Sequence, residues 1–386
     1  MLKLQNIKIA LVYDRVNKWG GAERVLLALH EIFPHAPLFT SVYDSNQAKW
    51  AQVFPQVTTT FLNFLPGLKH HHELIPFLTP ISFETLQFDN YDAVISLTSA
   101  DAKGIITKPQ TFHLCVCLTP TRYLWSHQQY YYQKIPWILK PVSWPWFKYL
   151  KYWDLIAAKR PDKYLAISKT VADRISKYYA RDSRVIYPPV NTDFFSKTSN
   201  RIVPDLPPRY YLYVGRFVTY KDPQTVINVF NDLNFPLVVV GKGSVNWGQP
   251  LLTQILKSKA GPNIRFIQEV SDDELAYLYQ NCQALIYFHE EDFGIIPVEA
   301  MAAGKPVIAL NRGGTSETVI HKKTGILIDE HSPDALKSAV LNFSPASFST
   351  SDIRSHAAQF SQERFIREFV KVFNNEWTKY QNTLMS

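Results

Sequence analysis

Two periodicities alternate along the chain. Short runs of apolar and β-branched residues, each bounded by turn formers, occupy 7–14, 39–43, 57–62, 93–97, 112–118, 164–167 and 185–187. A second series follows at 210–214, 237–240, 264–267, 284–288, 307–310 and 325–328. Continuous apolar runs of this length read as strands buried on both faces, the pattern of parallel sheets. Between them, segments at 22–32, 170–179, 223–233 and 273–281 place apolar residues three to four apart, as one buried helix face requires. Strands alternating with helices predict βαβ units. The pattern restarts near Tyr210, after a stretch holding Pro204, Pro207 and Pro208. Two doubly wound α/β domains are therefore expected, at 1–200 and 201–361, with a linker near 196–208. A long helical pattern over 362–380 closes the chain. Ligands of such sheets bind beyond the carboxyl ends of the strands, so the strand–helix loops are where chemistry is expected.

Composition agrees with this division and adds one asymmetry. The 386 residues suffice for two domains with separate cores. With 46% hydrophobic and 19% charged residues the chain is not disordered. No run approaches the roughly 18 consecutive apolar residues of a membrane span. The first apolar run is too short for a signal peptide, so a cytoplasmic location is expected. Three cysteines exclude a disulfide scaffold. The net charge of +8 sits wholly in the first half, where residues 1–195 hold 22 basic and 14 acidic side chains against 19 of each afterwards. Such a surplus points to an anionic partner, or to solvation of one domain. No nucleic-acid recognition motif accompanies it. Segment 130–153 carries ten aromatic residues and four lysines, with no acid before Asp154. Rings and ammonium groups without carboxylates suit the headgroup zone of an anionic membrane; an aromatic cluster between helices is the alternative. Pro136, Pro141 and Pro145 predict a broken segment rather than one amphipathic helix.

Four features can meet an anionic nucleotide. Gly20-Gly21 follows the first strand and opens a helix, where free amides attract phosphate. The dinucleotide fingerprint G-x-G-x-x-G is absent. Val214-Gly215-Arg216, with Lys221 five residues on, puts two cations at a strand's carboxyl end. Glu291 and Glu299, separated by seven residues, flank Phe293-Gly294-Ile295-Ile296 at the next such turn; Glu299 falls inside the helix, able to accept from ribose hydroxyls. Gly313-Gly314-Thr315 makes another strand–helix turn, with Thr315 expected as the helix cap. His127 and His289 lie beside these segments and read as packing or solvated residues. The run His70-His71-His72 reads as a solvated loop, and no D-x-D pair ends a strand, so no metal is expected.

The run 291–308, together with 214–221, 20–25 and Tyr187-Pro188-Pro189-Val190-Asn191, resembles the family 4 glycosyltransferases of the GT-B fold over nearly the whole chain. Gly20–Arg24 and Thr119–Trp125 are similar to motifs of bacterial mannosyltransferases of surface-polysaccharide assembly. The resemblance implies two Rossmann-like domains facing a central cleft, with the last helix, 362–386, returning to the first. It also implies retaining transfer of a hexose, mannose from GDP-mannose in first place, from a nucleotide-sugar to a glycan or lipid-linked acceptor, without metal or other cofactor. By position, Arg216 and Lys221 would stabilise the leaving diphosphate, Glu291 the donor sugar and Glu299 the ribose. Gly20, Gly21, Gly215, Phe293, Gly294, Ile295, Ile296 and Lys242 would line the donor, with the loops at 241–243 and 268–271 choosing the base. Relatives carry histidines where this chain reads Thr98-Ser99-Ala100-Asp101 and Leu118-Thr119-Pro120. Asp101, Arg122 and Tyr123 are the candidates that remain on the acceptor side. A lipid-linked acceptor would place the protein peripherally on the inner face of the membrane, against an anionic surface, and account for the basic first half. Three readings compete: a UDP-sugar transferase of the same family, a sugar-nucleotide epimerase on the same fold, and a non-catalytic scaffold of glycan assembly.

Overall fold

The computed structural model describes residues 7–65, 67, 76–133, 135, 137–241 and 250–385. Each apolar run noted above is a strand. β1 (Ile9–Tyr13), β2 (Leu38–Thr40), β3 (Val57–Thr59), β4 (Ala93–Thr98), β5 (Phe112–Cys117), β6 (Lys163–Ala166) and β7 (Ser183–Val185) form one sheet, in the order β3-β2-β1-β4-β5-β6-β7. β8 (Tyr211–Val214), β9 (Leu237–Val240), β10 (Ile264–Ile267), β11 (Leu285–Tyr287), β12 (Val307–Leu310) and β13 (Gly325–Ile328) form a second, ordered β10-β9-β8-β11-β12-β13. All pairings are parallel, from β1 with β2 and β4 to β12 with β13. Helices cover both faces, which is why β1, β4, β5, β8 and β9 are buried at every position. In each sheet the chain order reverses beside the first strand, at β1/β4 and at β8/β11. Loops from the two strands diverge there and leave a crevice.

The chain divides into two compact units: one runs through Tyr187 and resumes at Phe365, the other spans Pro188–Arg364. The division thus falls before the Pro-rich stretch rather than within 196–208. Residues 188–200 are tied to the second unit by the hydrogen bond from Val190 N to Phe360 O (3.0 Å), by Phe195 against Tyr279 (5.6 Å between rings) and by Gln280 Nε2 to Lys197 O (2.6 Å). The helix Gln362–Met385 crosses from one unit to the other. Its buried Phe365, Phe369 and Phe373 recur at four-residue spacing, and Phe373 meets Phe33 (5.3 Å) and Phe112 (6.2 Å) of the first unit.

The aromatic segment is more regular than its prolines predict. After short helical pieces at Gln128–Gln133 and Trp137–Leu139, one helix runs from Lys140 to Ala157 with Pro145 inside it. Pro145 lacks only the N–H that would reach back to residue 141, itself in the first turn, so the break costs one hydrogen bond. The inner face buries Leu150, Trp153, Asp154 and Ala157, while Trp144 (48%), Tyr149 (43%) and Tyr152 (67%) stay exposed.

Candidate functional site

At the β8/β11 crevice the second unit gathers the residues expected there. β8 ends at Val214; Gly215 N bonds Val240 O (3.0 Å), and the chain leaves the sheet with Arg216 exposed and Lys221 buried in the turn Thr219–Lys221. Asp222, in the left-handed region at φ 45°, caps the next helix, Pro223–Leu233, by accepting from Thr225 N. From the other side, the loop after β11 brings in Glu291. Lys221 Nζ stands 2.8 Å from Glu291 Oε1, an ion pair with both side chains largely buried. His289 lies behind it, 1% exposed, its ring 4.1 Å from that of Tyr287 and its Nε2 4.0 Å from the same Oε1. Burial first, then the Lys221 charge, pushes the imidazole down to about 3, so the ring is neutral at working pH.

Gly294, at φ +82°, caps the helix Ile295–Ala302, whose first residues Ile295 and Ile296 are half-buried. The Phe293 ring, in contrast, is buried against Phe360. Glu299 is buried one turn on and accepts the Tyr279 hydroxyl at Oε2 (3.0 Å). Gly313-Gly314 braces the Glu291 loop. Gly314 N donates to Glu291 O (2.8 Å), and a Cβ on Gly314 would lie 2.1 Å from Phe293 O. Thr315 is not the cap: Gly314 is, and the Thr315 hydroxyl donates to the Leu310 and Arg312 carbonyls instead. Lys242 and the run His70-His71-His72 lie outside the described residues. Among the described residues no group of three His, Cys, Asp or Glu could hold a metal ion.

In the first unit, Gly20 caps the helix Gly21–Ile32 in extended conformation, and Glu23 in its first turn accepts the Tyr13 hydroxyl (2.7 Å). Asp14, at the end of β1, organises the loop after β4. It accepts from Thr98 Oγ1 (2.8 Å), Ser99 N (2.7 Å), Asp101 N (3.0 Å) and Ala102 N (2.9 Å). Beside this loop Lys103 pairs with Asp154 (2.6 Å), both buried, and Asp154 also accepts from Thr121 Oγ1 (2.8 Å) and Trp125 Nε1 (2.7 Å). The Thr119–Trp125 segment is thereby anchored to the aromatic helix. Asp101 is buried next to this network, and burial raises its carboxyl to about 7 despite the opposing pull of Lys103. Tyr123 is its neighbour, the hydroxyl raised by burial and by Asp101; Arg122 is half-buried in the same segment. Asp14, Lys103 and Asp154 were not among the expected residues. Asp154 had a usable signal, as the one acid closing an acid-free aromatic stretch; Lys103 had none.

Residues 195–354 match the family described as glycosyl transferases group 1. The chain is 28% identical over 192 residues to an uncharacterized glycosyltransferase of Methanocaldococcus jannaschii, covering 50% of this chain and 52% of that protein. It is 33% identical over 168 residues to the O-antigen chain mannosyltransferase of Salmonella typhimurium, covering 42% and 45%. The matched regions thus span about half the length of these curated relatives. Among solved structures, sucrose-phosphate synthase from Thermosynechococcus elongatus superposes with a TM-score of 0.74 at 18% identity, covering 96% of this chain and all of that one. Anabaena HepE in complex with UDP gives 0.69 at 16%, with the same coverage. The chain has the GT-B fold, and the stretch of its second unit from 195 to 354 is similar to the glycosyl transferases group 1 family.

Proposed function

We propose that the protein is a retaining glycosyltransferase of cell-surface polysaccharide biosynthesis, moving mannose from GDP-mannose to a glycan or lipid-linked acceptor. The observation that carries this is the convergence of Arg216, Lys221 and Glu291 on the β8/β11 crevice. Arg216 and Lys221 would meet the charge that grows on the diphosphate as the glycosidic bond breaks, the largest charge developing in the reaction. Glu291 would hold the sugar's hydroxyls, and Glu299 those of the ribose. The first-turn amides of Ile295 and Ile296 would face a phosphate. In front-face attack a diphosphate oxygen takes the acceptor's proton, so this assignment needs no protein nucleophile, and it calls for no metal. Asp101, Arg122 and Tyr123 are assigned to the acceptor.

The mannose assignment is supported by mannosyltransferase relatives at 28–33% identity, in Salmonella and in Dictyostelium discoideum. A UDP-sugar is the second reading, favoured by the UDP bound to the HepE neighbour. A thermal-shift panel of GDP-, UDP- and ADP-sugars separates the two: GDP-mannose should raise Tm most, and a clear UDP preference overturns the donor. Product analysis with donor alone distinguishes transfer from epimerisation. Glu291→Ala should abolish transfer and donor hydrolysis; activity undiminished by it would remove Glu291 from the site.

A lipid-linked acceptor places the first unit against the anionic inner face of the membrane. The outward face of the helix Lys140–Ala157, with exposed aromatics and Lys148, supports this. Among the described residues no helix is long and apolar enough to cross a membrane, so attachment would be peripheral.

A further inference from the structure

His289 has no task in the scheme above, yet it stands against its central carboxylate. Neither ring nitrogen has a partner among the described residues, although the ring is 1% exposed. Buried polar atoms are nearly always paired, so two unpaired ring nitrogens beside a carboxylate leave this ring with a contact still to make. The separation of 4.0 Å from Nε2 to Glu291 Oε1 is too long for a hydrogen bond and short enough to become one after about 1 Å of movement. That same oxygen is occupied by the Lys221 ammonium at 2.8 Å.

We propose that His289 is a positioning residue that exchanges with Lys221: when a diphosphate draws Lys221 away, the Nε2–H of His289 closes on Glu291 Oε1 and holds the carboxylate toward the donor sugar. This rests on the assignment of Lys221 to the diphosphate and Glu291 to the sugar. The charged and titratable groups acting on the ring are Lys221, Glu291 and His331, and of these only Glu291 favours its protonation. The ring therefore donates as a neutral imidazole, and the full negative charge of Glu291 is kept for the sugar. Lysine cannot do both jobs, because one ammonium at the diphosphate is no longer at the carboxylate.

Histidine-selective ¹⁵N NMR tests the exchange without any ligand, with the His289 signals assigned through His289→Gln. In Lys221→Met the ring should gain a downfield, slowly exchanging Nε2 proton that wild type lacks. It should also titrate higher than the wild-type ring, since the opposing ammonium is gone. A Lys221→Met spectrum without that proton overturns the exchange. In wild type, saturation with GDP or UDP, whichever raises Tm, should produce the same proton. Nucleotide binding without it overturns the exchange alone, whereas failure of both nucleotides to raise Tm overturns the donor reading beneath it. In turnover, His289→Phe should lower kcat about 10- to 100-fold with donor KM near wild type, as loss of a hydrogen bond to a charged group does. His289→Gln, which keeps an N–H donor, should recover most of that loss. Equal kcat in the two variants would assign the ring to packing.

Discussion

At the scale of single residues, the first unit buries two kinds of charge with opposite consequences. Lys103 and Asp154 neutralise each other at 2.6 Å, so neither needs water. Among the described residues no cation stands at such a distance from Asp101, and burial raises its carboxyl from 3.8 to about 7. An acid raised in this way is held neutral by folding. Between about pH 4 and pH 7 the folded chain keeps a proton that the unfolded chain releases, so this group's contribution to stability falls across that window and is flat above it. Asp101→Asn removes the titration. Relative to wild type, the variant should gain about 2–4 kcal/mol on going from pH 4 to pH 8, measured from urea midpoints at both pH values. A constant difference between the two proteins would mean that Asp101 is ionised in the fold. Reading the variant against wild type cancels the opposite trend of His113 and His289, both pushed down to about 3 by burial.

Among elements, two do more than connect. The turn Gly313-Gly314 is pressed against the backbone that carries Glu291, and any side chain at 314 must displace Phe293 O. Gly314→Ala should cost about 1–3 kcal/mol of stability, as overpacking does. Its larger effect should fall on turnover, through a displaced Glu291, and a variant with normal kcat/KM would show the brace to be dispensable. The helix Lys140–Ala157 exposes Trp144, Trp146, Tyr149, Tyr152, Leu155 and Ile156 as well as burying its inner face, more apolar surface than a water-facing helix carries. Combining Trp144→Ala, Tyr152→Ala and Lys148→Glu should leave folding intact, since all three side chains are exposed. Flotation with anionic vesicles at low salt should drop about tenfold or more, at roughly 1 kcal/mol per basic residue plus the rings. Zwitterionic vesicles should bind both proteins weakly. Unchanged flotation would move the membrane contact elsewhere.

For the molecule as a whole, the decisive feature is that its first unit is discontinuous in sequence. The last helix supplies Phe365, Phe369 and Phe373 to a core otherwise built from the first half of the chain. Phe373→Ala should cost that unit about 3–5 kcal/mol by emptying the space between Phe33 and Phe112. With two cores the chain need not unfold in one step. Calorimetry should show one transition lowered and the other unmoved; an equal shift of all the heat absorption would mean that the two units unfold as one.

The strands, their parallel pairing class and the strand–helix turns were legible in the chain, because both-face burial leaves continuous apolar runs and turns need glycine and proline. So was the placement of Arg216, Lys221 and Glu291 after strand ends, and of Glu299 inside the helix that follows. The chain could not disclose which of these touch. The contact of Lys221 with Glu291 joins loops seventy residues apart, and only the adjacency of β8 and β11 decides it. The roles of Asp14, Lys103 and Asp154 were hidden for the same reason: each is a charge whose partner lies on another element. His289 read as a packing or solvated residue until tertiary structure set its ring beside a carboxylate already taken. Local pattern records what a residue contributes to its own segment, whereas pairing of buried charges is a property of neighbours that only folding supplies.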